Sequence, residues 1–125
     1  MKRFLFFAVF FLSAVSISTA GEPTVEVAAV ATSVENLVPI GVSYKFSSVE
    51  RLYCYSKIIG GDGQNIKHLW YIDEKKIGET TLPIKARIYR TYSLIITSPQ
   101  IKGSGRVDIT TEDGKVLKSV EFVME

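Results

Sequence analysis

After residue 20 no stretch of this chain repeats apolar residues at helical period; what recurs instead is turn chemistry. Gly60-Gly61-Asp62-Gly63 offers positive φ and a self-bonding aspartate, Asp73-Glu74-Lys75 breaks a second apolar run, and Asp113-Gly114 is a two-residue hairpin signal. Pro83 and Ser98-Pro99 stop two further segments, because proline brings no N–H to a ladder. Segments cut to this length have room for strands and none for long helices.

The segments themselves read as strands. Residues 51–59 are rich in aromatic and β-branched side chains, with Leu52, Cys54, Ser56 and Ile58 on one side and Arg51, Tyr53, Tyr55 and Lys57 on the other. Strands are likewise expected over 64–72, 76–82, 87–96, 106–112 and 116–123, the last two joined as a hairpin. Residues 24–32 form a first strand with Val25, Val27, Ala29 and Ala31 as its apolar face, while Glu26, Ala28 and Val30 look too thin for a second one. Pro39 and Gly41 interrupt 33–48, which reads as a loop with an edge strand at 42–46. About seven strands at roughly 8–12-residue spacing predict an all-β, antiparallel β-sandwich of immunoglobulin-like type, with a barrel as second choice.

The amino terminus reads as an address. Lys2 and Arg3 precede an apolar run over 4–17, and Ser18-Thr19-Ala20 supplies small residues before Gly21, the order of a secretory signal peptide cleaved near Ala20. The expected organisation is therefore a signal peptide over 1–20 and a single β-sandwich domain over 21–125, periplasmic or secreted, with no membrane span after cleavage. Without Lys2 and Arg3 the 15 basic residues fall to 13, against 13 acidic ones, so the mature chain is formally neutral and has no electrostatic footprint for nucleic acid. Cys54 is the only cysteine; it excludes an internal disulfide and, lying in an apolar run, reads as a core residue.

Three blocks carry a likeness to a known family: residues 52–58 (Leu-Tyr-Cys-Tyr-Ser-Lys-Ile), His68-Leu69-Trp70-Tyr71, and Tyr89-Arg90-Thr91-Tyr92-Ser93. Their order, followed by the Asp113-Gly114 hairpin, resembles the bacterial domain of unknown function 2914, a module of exported and membrane-attached proteins. The resemblance runs over roughly 25–123 and implies an all-β fold and an envelope address; it implies no activity. Its pattern often has tryptophan where Tyr89 and Tyr92 stand, and Gly-x-Trp where this chain has Gly103-Ser104-Gly105.

Two groups of residues are candidates for binding. His68 and Trp70 alternate with Leu69 and Tyr71 and so share a face. Exposed, that face would stack a ligand ring on Trp70 and offer it a hydrogen bond from His68; buried, it would be a core tryptophan beside a hydrogen-bonded histidine, the arrangement the residues favour. Arg87, Tyr89, Thr91 and Ser93 face one way on the next strand, and Ile88, Arg90, Tyr92 and Leu94 the other. An arginine there would grip a carboxylate or phosphate as a fork, or pair across the sheet with acids and rings. The candidate ligand residues are accordingly His68, Trp70, Arg87, Tyr89, Arg90, Tyr92 and Ser93, with the 97–104 loop as a further place for a partner.

Catalytic inventories are thin. One histidine with no serine motif makes a poor triad, and one histidine with one cysteine makes no structural zinc site. Asp62, Gln64 and Asn65 are turn chemistry, without the carboxylate density of a calcium loop. The expectation is a non-catalytic binding or interaction module of the bacterial cell envelope, without cofactor or metal, whose partner is an envelope protein or a glycan. The alternative is a small exported hydrolase-type enzyme built around His68.

Overall fold

The computed structural model describes residues 21–125, and the expected signal peptide lies outside them. Ten strands follow one another: β1 (Thr24–Ala31), β2 (Ser33–Glu35), β3 (Val38–Ile40), β4 (Lys45–Phe46), β5 (Arg51–Ile59), β6 (Asn65–Ile72), β7 (Lys75–Pro83), β8 (Ile88–Ile96), β9 (Gly103–Thr111) and β10 (Val116–Met124). They build an all-β sandwich of a three-stranded sheet, β1-β5-β8, and a five-stranded sheet, β4-β10-β9-β6-β7, with β2-β3 as a separate hairpin. Among the described residues every pairing is antiparallel except the two-residue β4–β10 contact, and no sheet closes into a barrel.

Six of the expected strands appear within two residues of their predicted ends, because their alternation already obeyed the sheet period, and β9 begins three residues earlier than expected. Two expectations fail. A bulge between Val25 and Val27 in β1 reverses the parity, so Val25, Ala28 and Val30 join the core while Val27 is exposed. The face that looked too thin is the buried one. The 33–48 region is also more regular than its proline and glycine suggested: Asn36 and Leu37, both at positive φ, close the β2–β3 hairpin, and the edge strand shrinks to Lys45–Phe46. Asp73 and Glu74 form a second turn with both residues at positive φ, held from outside by Arg106 Nη1, 2.7 and 2.8 Å from the Glu74 carboxylate.

The core fills the space between the sheets. Leu52, Cys54 and Ile58 come from β5, Ile66, Trp70 and Ile72 from β6, Val107 and Ile109 from β9, and Phe122 and Met124 from β10. The Trp70 indole meets Phe122 edge-on at 6.1 Å, and Phe122 meets Phe46 in the same way at 6.3 Å. Burying an indole removes about 200 Å² of surface and stabilises the fold by about 5 kcal/mol. Gly105 lies directly opposite Phe122 and faces inward, where a Cβ would land on the phenyl ring. Position 105 is thus a core position, and Phe122 already occupies the space a larger side chain would need.

A Gly105→Ala substitution is expected to lower stability by about 1–3 kcal/mol, read as a shift in the urea midpoint. Combining it with Phe122→Ala should cost less than the sum of the two single changes, since the ring that clashes is then gone. Strict additivity would show that the two positions do not compete for space.

Candidate functional site

The sequence candidates divide between the inside and the outside of the three-stranded sheet. His68 and Trp70 leave β6 on its inner face, and both are fully buried. Opposite them stand Ser56 of β5 and Ser93 of β8, neighbouring strands whose inward positions fall at the same level (Cys54 pairs with Ser93, Ser56 with Thr91). His68 Nε2 lies 2.8 Å from Ser56 Oγ, His68 Nδ1 lies 2.6 Å from Ser93 Oγ, and Trp70 Nε1 donates to Ser93 Oγ at 3.1 Å.

One proton assignment gives the indole, the Ser93 hydroxyl and both ring nitrogens a partner. The indole N–H donates to Ser93, the Ser93 hydroxyl donates to Nδ1 of a neutral imidazole, and Nε2–H donates to Ser56. A second ring proton would make Ser93 accept from both the indole and the imidazole. Burial away from water takes the His68 pKa down to about 4. It also pushes the Cys54 thiol up to about 12, with the nearby Ser56 hydroxyl opposing the shift. Neither group is charged at neutral pH, and neither meets solvent. The arrangement binds two sheets together, and the exposed stacking face once open to His68 and Trp70 does not exist.

On β8, Tyr89 is half-buried and packs against the core, Ser93 belongs to the network, and Arg87 is exposed just before the strand. Arg90 and Tyr92 stand on the outer face, with Ile88 (53% exposed), Leu94 (39%) and Ile96 (66%) at the other outward positions. Across the ladder Tyr92 faces Tyr55 and Leu94 faces Tyr53, and the Tyr53 and Tyr92 rings lie 5.8 Å apart. Opposite Tyr53 and Tyr55 on β1 stand Ala31 and Ala29, whose short side chains leave room for the rings. Basic groups border this patch. Lys57 is paired with Glu26 at 2.8 Å, while Arg90 has no ion-pair partner among the described residues.

Sequence reasoning missed Ser56, because a serine in a strand carries no signal until its cross-sheet neighbour is known. It also passed over Ile88, Leu94 and Ile96, although a strand apolar on both faces was visible in the alternation. The 97–104 loop lines a pocket of about 340 Å³ with Val49, Met124 and the exposed Glu50, Lys102 and Glu125. On the five-stranded sheet the outer face pairs several of its own charges. Arg106 lies 4.3 Å over the Tyr71 ring, pairs with Glu74, and donates from Nε to Asp108 at 3.0 Å.

The network makes a pH prediction. An unfolded His68 takes a proton near 6.5 and the folded one only near 4, so the unfolded state binds more protons between those values. Stability contributed by this residue is complete above pH 6.5 and falls as pH drops through that window, by about 3 kcal/mol at its lower end. Urea midpoints taken from pH 7 to 4 should fall more steeply for the parent than for His68→Gln. Parallel curves would show that the imidazole titrates alike in both states.

Residues 63–124 match the family model described as protein of unknown function (DUF2914). No curated protein matches the chain.

Proposed function

The chain belongs to the DUF2914 family, whose description carries no function, and from its surface we propose a non-catalytic interaction module of the bacterial cell envelope that docks a protein partner on the outer face of the three-stranded sheet. The observation that carries this is the patch formed by Ile88, Tyr92, Leu94 and Ile96 around Arg90, backed by Tyr53 and Tyr55. Scattered exposed hydrophobics need no explanation, but a contiguous apolar face does. Tyrosine and arginine at its centre are the residues that anchor protein–protein contacts.

Arg51, Lys57 and Arg90 give the face a basic cast, with Glu26 paired to Lys57 and Glu50 beside Arg51, so a fitting partner presents an apolar surface with a carboxylate for Arg90. A glycan fits less well, because the indole that would have stacked on a sugar lies in the core. The hydrolase alternative loses its support for a related reason: the imidazole is enclosed, neutral, and committed through both nitrogens. The envelope address rests on the amino-terminal pattern of residues 1–20.

Envelope extract passed over the immobilised protein should yield a discrete protein whose capture falls at least about tenfold with Arg90→Glu or Tyr92→Ala. Capture should persist with Lys67→Ala, on the other sheet. Capture indifferent to the two face variants, or binding seen only on a glycan array, would overturn this reading.

A further inference from the structure

Each of the two main sheets ends in two edge strands, and three of these four edges carry the protections that keep natural sheets from pairing further. Strand β1 is bulged and turns Glu26 outward to Lys57. Strand β4 is two residues long. Strand β7 carries Lys75, Lys76 and Glu79, ends on Pro83, and is offset by an irregularity opposite Trp70 and Tyr71. Strand β8 has none of these: nine residues in unbroken register with β5, one charge among its outward positions, and no hydrogen-bonded strand on its other side among the described residues.

The ladder shows which backbone groups of β8 are free. Gly60 N–H donates to Arg87 O at 2.7 Å and Thr97 N–H to Glu50 O at 2.9 Å, which marks both ends of the β5–β8 ladder as hydrogen-bonded pairs. In an antiparallel ladder such pairs alternate, so Tyr89, Thr91, Ser93 and Ile95 spend both backbone groups on β5. The N–H and C=O of Ile88, Arg90, Tyr92, Leu94 and Ile96 therefore point to the open edge. These are the same five residues whose side chains form the exposed patch.

We propose that this edge pairs with β8 of a second copy of the chain, antiparallel about a two-fold axis through Tyr92. The sequence of the edge is matched to itself in that register: Ile88 meets Ile96 of the other copy, Arg90 meets Leu94, and Tyr92 meets its own equivalent. All five free residues become hydrogen-bonded pairs, about ten backbone bonds over a strand roughly 30 Å long. Like charges do not face each other, since the two Arg90 side chains stand four residues apart along the strands, roughly 14 Å, beyond the Debye length in ordinary salt. The formal neutrality of the mature chain adds no net repulsion. The result is one six-stranded sheet, β1-β5-β8 and its symmetry mate, with the isologous geometry of a two-fold dimer. The inference goes beyond the binding reading and stands without it, because it uses the edge of the sheet and leaves most of the outer face open.

Sedimentation equilibrium of the purified protein should show a monomer–dimer equilibrium. Leu94→Lys sets an ammonium opposite Arg90 of the other copy and should raise the dimer Kd at least about tenfold, whereas Leu94→Glu sets a carboxylate there and should hold or lower it. Leu94 is a surface residue, so both variants keep the core. Independently, Tyr92→Cys brings two thiols together on the axis, with Cα atoms about 5.5 Å apart, and should give a disulfide-linked dimer on mild oxidation; buried Cys54 takes no part. A protein that is monomeric at every concentration, or charges of either sign at position 94 acting alike, would overturn the proposal. A monomer that still captures an envelope protein through Arg90 and Tyr92 would sink the dimer and leave the binding face intact. A dimer that captures nothing would do the reverse.

Discussion

A histidine in the middle of an apolar core is tolerated only when both ring nitrogens find partners, because an unpaired buried polar group costs more than most single contacts return. Here the partners come from the opposite layer. Ser56 and Ser93 lie on β5 and β8, His68 and Trp70 on β6, so the bonds run across the sandwich and not along a sheet. Apolar packing alone would let two sheets slide over one another at small cost. A set of directional bonds between them admits one alignment: a one-residue slip of β6 would break all three bonds, and a slip of β5 or β8 would leave at least one nitrogen of His68 without its partner. The remaining core, Phe122 against the indole and Gly105 against Phe122, is arranged around that alignment.

How much of this was legible in the sequence depends on how local each cause is. Strands β5, β6 and β8 declared themselves by alternation, and Asp113-Gly114 declared its hairpin, because period and turn chemistry are written in adjacent residues. The β1 face was misread because a bulge is settled by the partner strand: without knowing that Val25 pairs with Ile58 and Val27 with Lys57, the parity cannot be counted. The β2–β3 hairpin escaped because Leu37 does not advertise a positive φ. At the site, the choice between a wet and a dry tryptophan turned on Ser56 and Ser93, residues 12 and 25 positions from His68, and no periodicity reaches that far.

The same distinction separates the two faces of the three-stranded sheet. Its inner face is determined by complementarity to β6 and β9, and each side chain there has a neighbour within the chain. Its outer face follows the alternation just as faithfully yet ends in exposed isoleucine and leucine, so the strand β8 is apolar on both sides. Folding accounts for one side only, and solubility works against the other. The five-stranded sheet shows the contrast, since its outward Arg106, Glu74 and Asp108 close on one another.

The protein has a single indole, and it stands where the two layers are bolted together. Any event that parts the sheets must break its bond to Ser93 and wet its ring in the same step. The chain therefore carries a built-in optical gauge of its own interior: the colour and quenching of that one fluorophore track the separation of the layers, with no second emitter of its kind to blur the signal.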